Sequence, residues 1–155
     1  MSRQRLRRVN LRVLGIALVV VLVDLATKAW ARDSLGKARH LWGPLWLRLQ
    51  YNSGVSFSFN HGLPLMSALV ALAVALVVLV IGSRAAAGFP TWGFGLLIGG
   101  GVGNVANRFL SSPPRVTDFV AVSSFPVFNA ADAAITVGFL TLLVAILRGQ
   151  RMVGS

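Results

Sequence analysis

Hydrophobic residues along this chain gather into four long runs, at about 13–31, 63–82, 92–110 and 130–147, separated by polar and glycine-bearing stretches. Each run approaches the roughly 20 residues that an α-helix needs to cross a bilayer. The second run is almost wholly Ala, Val and Leu without a charge, which predicts a helix facing lipid or its neighbours. In the third, Gly95, Gly99 and Gly103 recur every four residues, a stripe of small side chains against which another helix can pack closely, and Asn107 continues it. Between the first two runs the period changes. Leu45, Leu47, Leu49 and Tyr51 alternate with Trp46, Arg48, Gln50 and Asn52, which predicts a strand with one apolar face, and Val116 to Val122 is a second candidate strand. The pattern predicts an all-α membrane protein of four transmembrane helices carrying a small extracytoplasmic β platform, as one domain over residues 1–155.

Composition agrees with this reading. Of 155 residues, 55% are hydrophobic and 12% charged, and the mean hydropathy is +0.74; soluble domains carry roughly twice that share of charge. Fifteen Lys and Arg against four acidic residues give a net charge of +11. Nucleic-acid binding is not expected from it, because no aromatic residues interleave with the basic ones. Instead Arg3, Arg5, Arg7, Arg8 and Arg12 crowd ahead of the first run, as they do on the cytoplasmic side of a membrane. Asp24 and Lys28 inside that run argue for a retained helix rather than a cleaved signal peptide. With both ends inside, segments 32–62 and 111–129 lie outside, and Trp30, Trp42 and Trp46 fall near the outer interface with Trp92 near the inner one.

The reactive inventory is short. There is no Cys and no Glu, and His occurs only at His40 and His61, so neither a metal site nor a His-based triad is expected. Ser53, Ser56 and Ser58 have no evident base. Carboxylate chemistry falls on Asp24, Asp33, Asp118 and Asp132. In the predicted topology Asp118 and Asp132 share the outer end of the bundle, where two close carboxyls would hold one proton between them and could activate water. Simpler roles stand beside that one: Asp132 follows Asn129 by three residues, as a helix cap does, and Asp118 could pair with Arg108 or Arg115. Asp24 and Lys28, one turn apart, can form a pair that locks helix packing, or carry a proton. Asn52, Asn104, Arg108 and Asn129 also cluster at predicted outer ends, where they could orient a peptide backbone or a lipid ester, or cap segments.

Four segments carry a family resemblance: Asp24-Leu25-Ala26-Thr27-Lys28, Tyr51-Asn52-Ser53-Gly54-Val55-Ser56-Phe57, Gly99 to Arg108, and Val116 to Asp132. Together and in this order they resemble the lipoprotein signal peptidases (signal peptidase II), membrane aspartyl proteases of bacteria. The resemblance implies that Asp118 and Asp132 are the catalytic pair. It further implies that Asn52, Asn104, Arg108 and Asn129 line the substrate site, and that Asp24 and Lys28 support it. It implies no metal or organic cofactor, a monomer in the bacterial cytoplasmic membrane with both termini cytoplasmic and the site near the outer leaflet, and sensitivity to the cyclic peptide globomycin. The implied substrate is a lipid-modified prolipoprotein, cut on the N-terminal side of its diacylglyceryl cysteine, with membrane lipids as the other partner. Asn107 departs from the family, whose third motif usually ends in Asp-Arg; Leu25 stands for a common Gln, and Val55, Ser56 and Gly101 for alanines. Two other functions are compatible with these residues: a proton-coupled transporter using Asp24, and a silent relative that binds lipopeptides without cutting them.

Overall fold

The computed structural model describes residues 9–53 and 64–154. The predicted Gly54 to Phe57 part of the second motif, His61 and the first four N-terminal arginines lie outside the described residues. Four helices and three strands follow in the order α1 (Leu11–Ser34), β1 (Arg39–Trp42), β2 (Leu45–Asn52), α2 (Pro64–Gly82), α3 (Phe89–Leu110), β3 (Val116–Val122) and α4 (Ala130–Leu147). All four helices overlie the predicted runs, and β2 and β3 match the predicted strands. Helices α1 and α4 are each long and apolar enough to cross a membrane.

Helix α3 is the centre of the bundle because its glycines let neighbours come close. A Cβ at Gly95 would stand 2.7 Å from the Cβ of Ile16, at Gly99 2.6 Å from the Cβ of Val20, and at Gly103 2.6 Å from Asp24 Oδ2. The predicted stripe is therefore the seat of α1. A second small-residue face, not anticipated from the period of four, receives α4: a Cβ at Gly100 would stand 2.5 Å from the Ala131 carbonyl oxygen, and Gly138 meets the Gly93 carbonyl in the same way.

The bundle buries polar and ionisable side chains while exposing large apolar ones. Asp24, Lys28, Asn104, Asn107, Asp118 and Asn129 are buried, whereas Leu18, Leu22, Val80, Phe139 and Ile146 are exposed on the helix flanks. That inversion suits a hydrocarbon surround, where ionisable groups turn inward and apolar side chains face the solvent.

At one end, the Asn10 side chain caps α1 by accepting the Arg12 N–H, and its amide donates to the Ala85 carbonyl and Thr91 Oγ1. The C-terminal tail closes the same end: Ala86 N donates to the Met152 carbonyl at 3.0 Å and Gly154 N to the Arg84 carbonyl at 2.8 Å. At the other end the strands form an antiparallel sheet in the order β1-β2-β3. Phe119, Leu47 and Leu49 pack that sheet on Ala31 and Leu35 at the end of α1.

Strand β2 holds the predicted alternation only as far as Leu49. One extra residue enters β2 between Leu47, opposite Val120, and Gln50, opposite Asp118. This bulge reverses the phase. Tyr51, expected on the apolar face, is exposed, while Asn52 is turned partly inward.

Candidate functional site

The site forms where β3 turns back into α4. Phe128 pairs with β3, donating its N–H to the Val120 carbonyl and accepting from the N–H groups of Phe119 and Val120. This return lays Asn129 beside Asp118, although eleven residues separate them. Asn129 is the N-cap of α4: its side-chain oxygen accepts the Asp132 N–H at 3.0 Å, and Asp132 Oδ2 accepts the Asn129 N–H at 3.1 Å. The capping role considered for Asp132 is thus real, and it leaves Oδ1 available.

That oxygen accepts Asn104 Nδ2 at 2.8 Å. The two hydrogens of Asn129 Nδ2 go to Asp118 Oδ1 at 2.6 Å and Asn104 Oδ1 at 3.2 Å. Lys28 Nζ donates to Asn104 Oδ1 at 2.8 Å and to Asp24 Oδ2 at 2.7 Å, and Asp24 Oδ1 accepts the Ala131 N–H at 3.0 Å. Asp24 and Lys28, both fully buried, form the only salt bridge among the described residues. The structure therefore brings Asp24, Lys28, Asn104, Asp118, Asn129 and Asp132 into one hydrogen-bonded network. The bulge in β2 adds Asn52, whose side chain hydrogen-bonds Asp118.

Burial holds the Asp118 carboxyl above the usual carboxylate range. The Asn129 hydrogen bond opposes that rise and the charge of Asp132 adds to it. Asp118 forms no ion pair with Arg108 or Arg115; Arg115 instead lies over the Tyr51 ring, 3.8 Å from its centroid. Arg108 reaches the Asn104 carbonyl only at 3.5 Å, and its buried Nε has no hydrogen-bond partner among the described residues.

A cavity of about 560 Å³ opens beside Asp132, walled also by Asn52, Phe125, Phe128, Thr136 and Val137, and the buried Asp118 does not line it. Asn104 and Asn129 stand behind this wall. A larger cavity, about 730 Å³, lies at the far end of α1 between Arg12, Gly15, Val19 and Trp92 and contains no carboxylate. Among the described residues, no three His, Asp or Glu side chains lie close enough to hold a metal ion.

Two site residues escaped the sequence reading. Asn107, noted there only for continuing the glycine stripe and departing from the family, accepts the Thr117 N–H on Oδ1 at 2.7 Å and so fastens β3 to α3 one residue before Asp118. Thr117 is itself buried and receives Arg32 Nη1 on its hydroxyl. The hydrophobic Val116 and Phe119 around it signalled a strand, but nothing local marked a bond across ten residues.

The fold and site define a helical membrane-protein bundle that presents a networked carboxylate pair at one end, beneath a small sheet. A family model described as signal peptidase (SPase) II matches residues 16–148, and the chain belongs to that family. The chain is 38% identical over 147 residues to a lipoprotein signal peptidase of Rhodococcus jostii (strain RHA1), covering 90% of this chain and 74% of that protein. Lipoprotein signal peptidases of Mycobacterium leprae (strain Br4923), 34% identical over 146 residues, and Gloeobacter violaceus, 38% identical over 146 residues, match 89% and 86% of this chain and 72% and 80% of their own lengths. In three dimensions it is similar to a bacterial membrane enzyme solved at 1.9 Å resolution, with a TM-score of 0.76 at 23% identity, covering 87% of this chain and 92% of that one.

Proposed function

We propose that this chain is an aspartic endopeptidase that removes the signal peptide from diacylglyceryl-modified prolipoproteins, cutting before the lipidated cysteine, with Asp118 and Asp132 as the water-activating pair. The observation that carries the reading is the linkage of these two carboxylates through Asn129 and Asn104, with Asp132 on the wall of an apolar groove. One carboxyl of such a pair keeps a proton while the other is charged. Burial favours the proton on Asp118. Asp132 has an N–H donor on each oxygen and sits in the first turn of α4, where backbone N–H groups favour negative charge. The Asp132 carboxylate takes a proton from water as its oxygen attacks the peptide carbonyl, and Asp118 gives its proton to the carbonyl oxygen. The tetrahedral intermediate then collapses with proton transfer to the leaving amine.

The groove beside Asp132 is apolar along Phe125, Phe128 and Val137, which suits a substrate arriving sideways from the bilayer with its lipid chains. Asn52 on its wall is placed to touch the peptide, and Arg108 offers a cation with hydrogen-bonding capacity to spare. Asn104 and Asn129 serve by holding the carboxylates. The reading includes four spans in the bacterial cytoplasmic membrane, both termini inside, the pair near the outer leaflet, a monomer, and no metal or organic cofactor. Both oxygens of Asp24 are occupied in a fully buried site, which disfavours it as a proton carrier in transport. Asn107 accepts an N–H as an aspartate would, so this departure gives no support to a silent relative.

The test is mass spectrometry of the products from a diacylglyceryl-modified prolipoprotein incubated with the purified chain in lipid. The expected product begins at the lipidated cysteine. Cleavage at another bond, or none by folded protein, would overturn the reading.

A further inference from the structure

The Asp24–Lys28 pair lies behind the carboxylates and outside the groove, yet its hydrogen bonds run into them. An ammonium is a donor only, so Lys28 can accept nothing from a neighbouring amide. It therefore meets the oxygen of Asn104, at 2.8 Å, and the same oxygen takes Asn129 Nδ2. With its oxygen so fixed, the Asn104 amide must turn its NH2 group to Asp132 Oδ1. The flipped amide would set NH2 against the ammonium and an oxygen against the carboxylate, two repulsive contacts in a buried site.

We propose that Lys28 is a positioning residue for the carboxylate pair: its ammonium fixes the orientation of the Asn104 amide, so that Asp132 receives an N–H donor on each oxygen and is held as the charged member. The inference rests on the peptidase reading. Asp24 completes the device by holding Lys28 at 2.7 Å and the first turn of α4 through the Ala131 N–H, one residue before Asp132. Gly103 supplies the room, since a Cβ there would meet Asp24 Oδ2. The charged groups acting around Asp132 are Asp118 from β3, Arg108 from α3, and Lys28 and Asp24 from α1. Among the described residues, Lys28 is thus one of two cations near the pair, and the one tied to it by hydrogen bonds.

A pair that only locked helix packing would affect stability without touching the pH dependence of catalysis. The experiment is kcat and KM against pH, on a diacylglyceryl-modified prolipoprotein peptide, for the full chain in lipid. One variant, Asp24→Asn with Lys28→Met, replaces the ion pair by a neutral pair of similar size. A second, Asn104→Leu, keeps the ion pair and cuts the connection at its middle. Both are expected to lower kcat by about tenfold or more with KM within about twofold, the signature of a loss confined to the chemical step. In both, the pH profile of kcat, which belongs to the pair of carboxyls together, departs from that of the wild type, because a hydrogen bond to the pair is lost. A wild-type profile in either folded variant, or a lower kcat with an unchanged pH profile, would overturn the proposal. If the double variant does not fold, the Asn104→Leu profile decides alone. Absence of cleavage by the wild-type chain would instead defeat the peptidase reading.

Discussion

Asn129 engages both of its side-chain donors and its oxygen within the site, capping α4 with the oxygen while its NH2 group joins Asp118 to Asn104. Asn129→Ala removes the cap, at a cost of roughly 1 kcal/mol of stability, and strips Asp118 of its 2.6 Å donor. Cleavage is expected to fall much further than the modest drop in melting temperature suggests. Asp118 has the opposite profile. Its carboxyl stays protonated to higher pH in the folded chain than in the unfolded one, so above about pH 4 folding takes up a proton and stability declines as pH rises towards the raised value. Asp118→Asn cannot ionise, and its side-chain oxygen can still accept from Asn129. The variant should be inactive yet melt a few degrees above the wild type at neutral pH; thermal melts at pH 4 and pH 7 check it, with the gain smaller at pH 4. At Asn107, Asn107→Asp keeps the acceptor for the Thr117 N–H, and kcat should stay within about threefold of wild type.

Between elements, the glycines of α3 set how close α1 and α4 can come. Gly103→Ala would push a methyl group into Asp24 Oδ2 and Gly100→Ala into the Ala131 carbonyl, each costing about 1–3 kcal/mol as overpacking does. Gly101→Ala is the control: its nearest neighbour is the Ala75 Cβ at 3.7 Å, so the helix gains propensity, up to about 1 kcal/mol, and loses no contact. Chemical or thermal unfolding of the three variants in one detergent tests the order. The helices and the α1 seat were legible in the sequence because an apolar run and a period of four are local signals. Strand β1 was not, for its four residues are all exposed and carry no alternation. The β2 bulge was equally hidden. It is a matter of pairing with β3, and it alone decides that Asn52 rather than Tyr51 turns towards Asp118.

At the scale of the molecule, apolar flanks on the helices and buried ionisable groups suit a membrane protein, with the carboxylates and the sheet at one end of the bundle and the Asn10 and C-terminal closures at the other. From the sequence, the family motifs lead to the expectation that the two aspartates act as a pair. What they left unstated was the path between them, because the bonds from Lys28 to Asn104 and from Asp24 to Ala131 span 76 and 107 residues. The absence of Cys makes orientation directly measurable. In intact cells a membrane-impermeant maleimide should label Ser124→Cys, while Ser83→Cys should label only after permeabilisation; the reverse would invert the proposed topology. The proposed chemistry requires Asp118 and Asp132 to act together. A gel-shift cleavage assay of the purified chain in lipid, with Asp118→Asn and Asp132→Asn beside it, tests this most directly. Cleavage by the wild type and none by either variant at equal folded concentration is expected, and substantial cleavage by either variant would overturn the assignment of the pair.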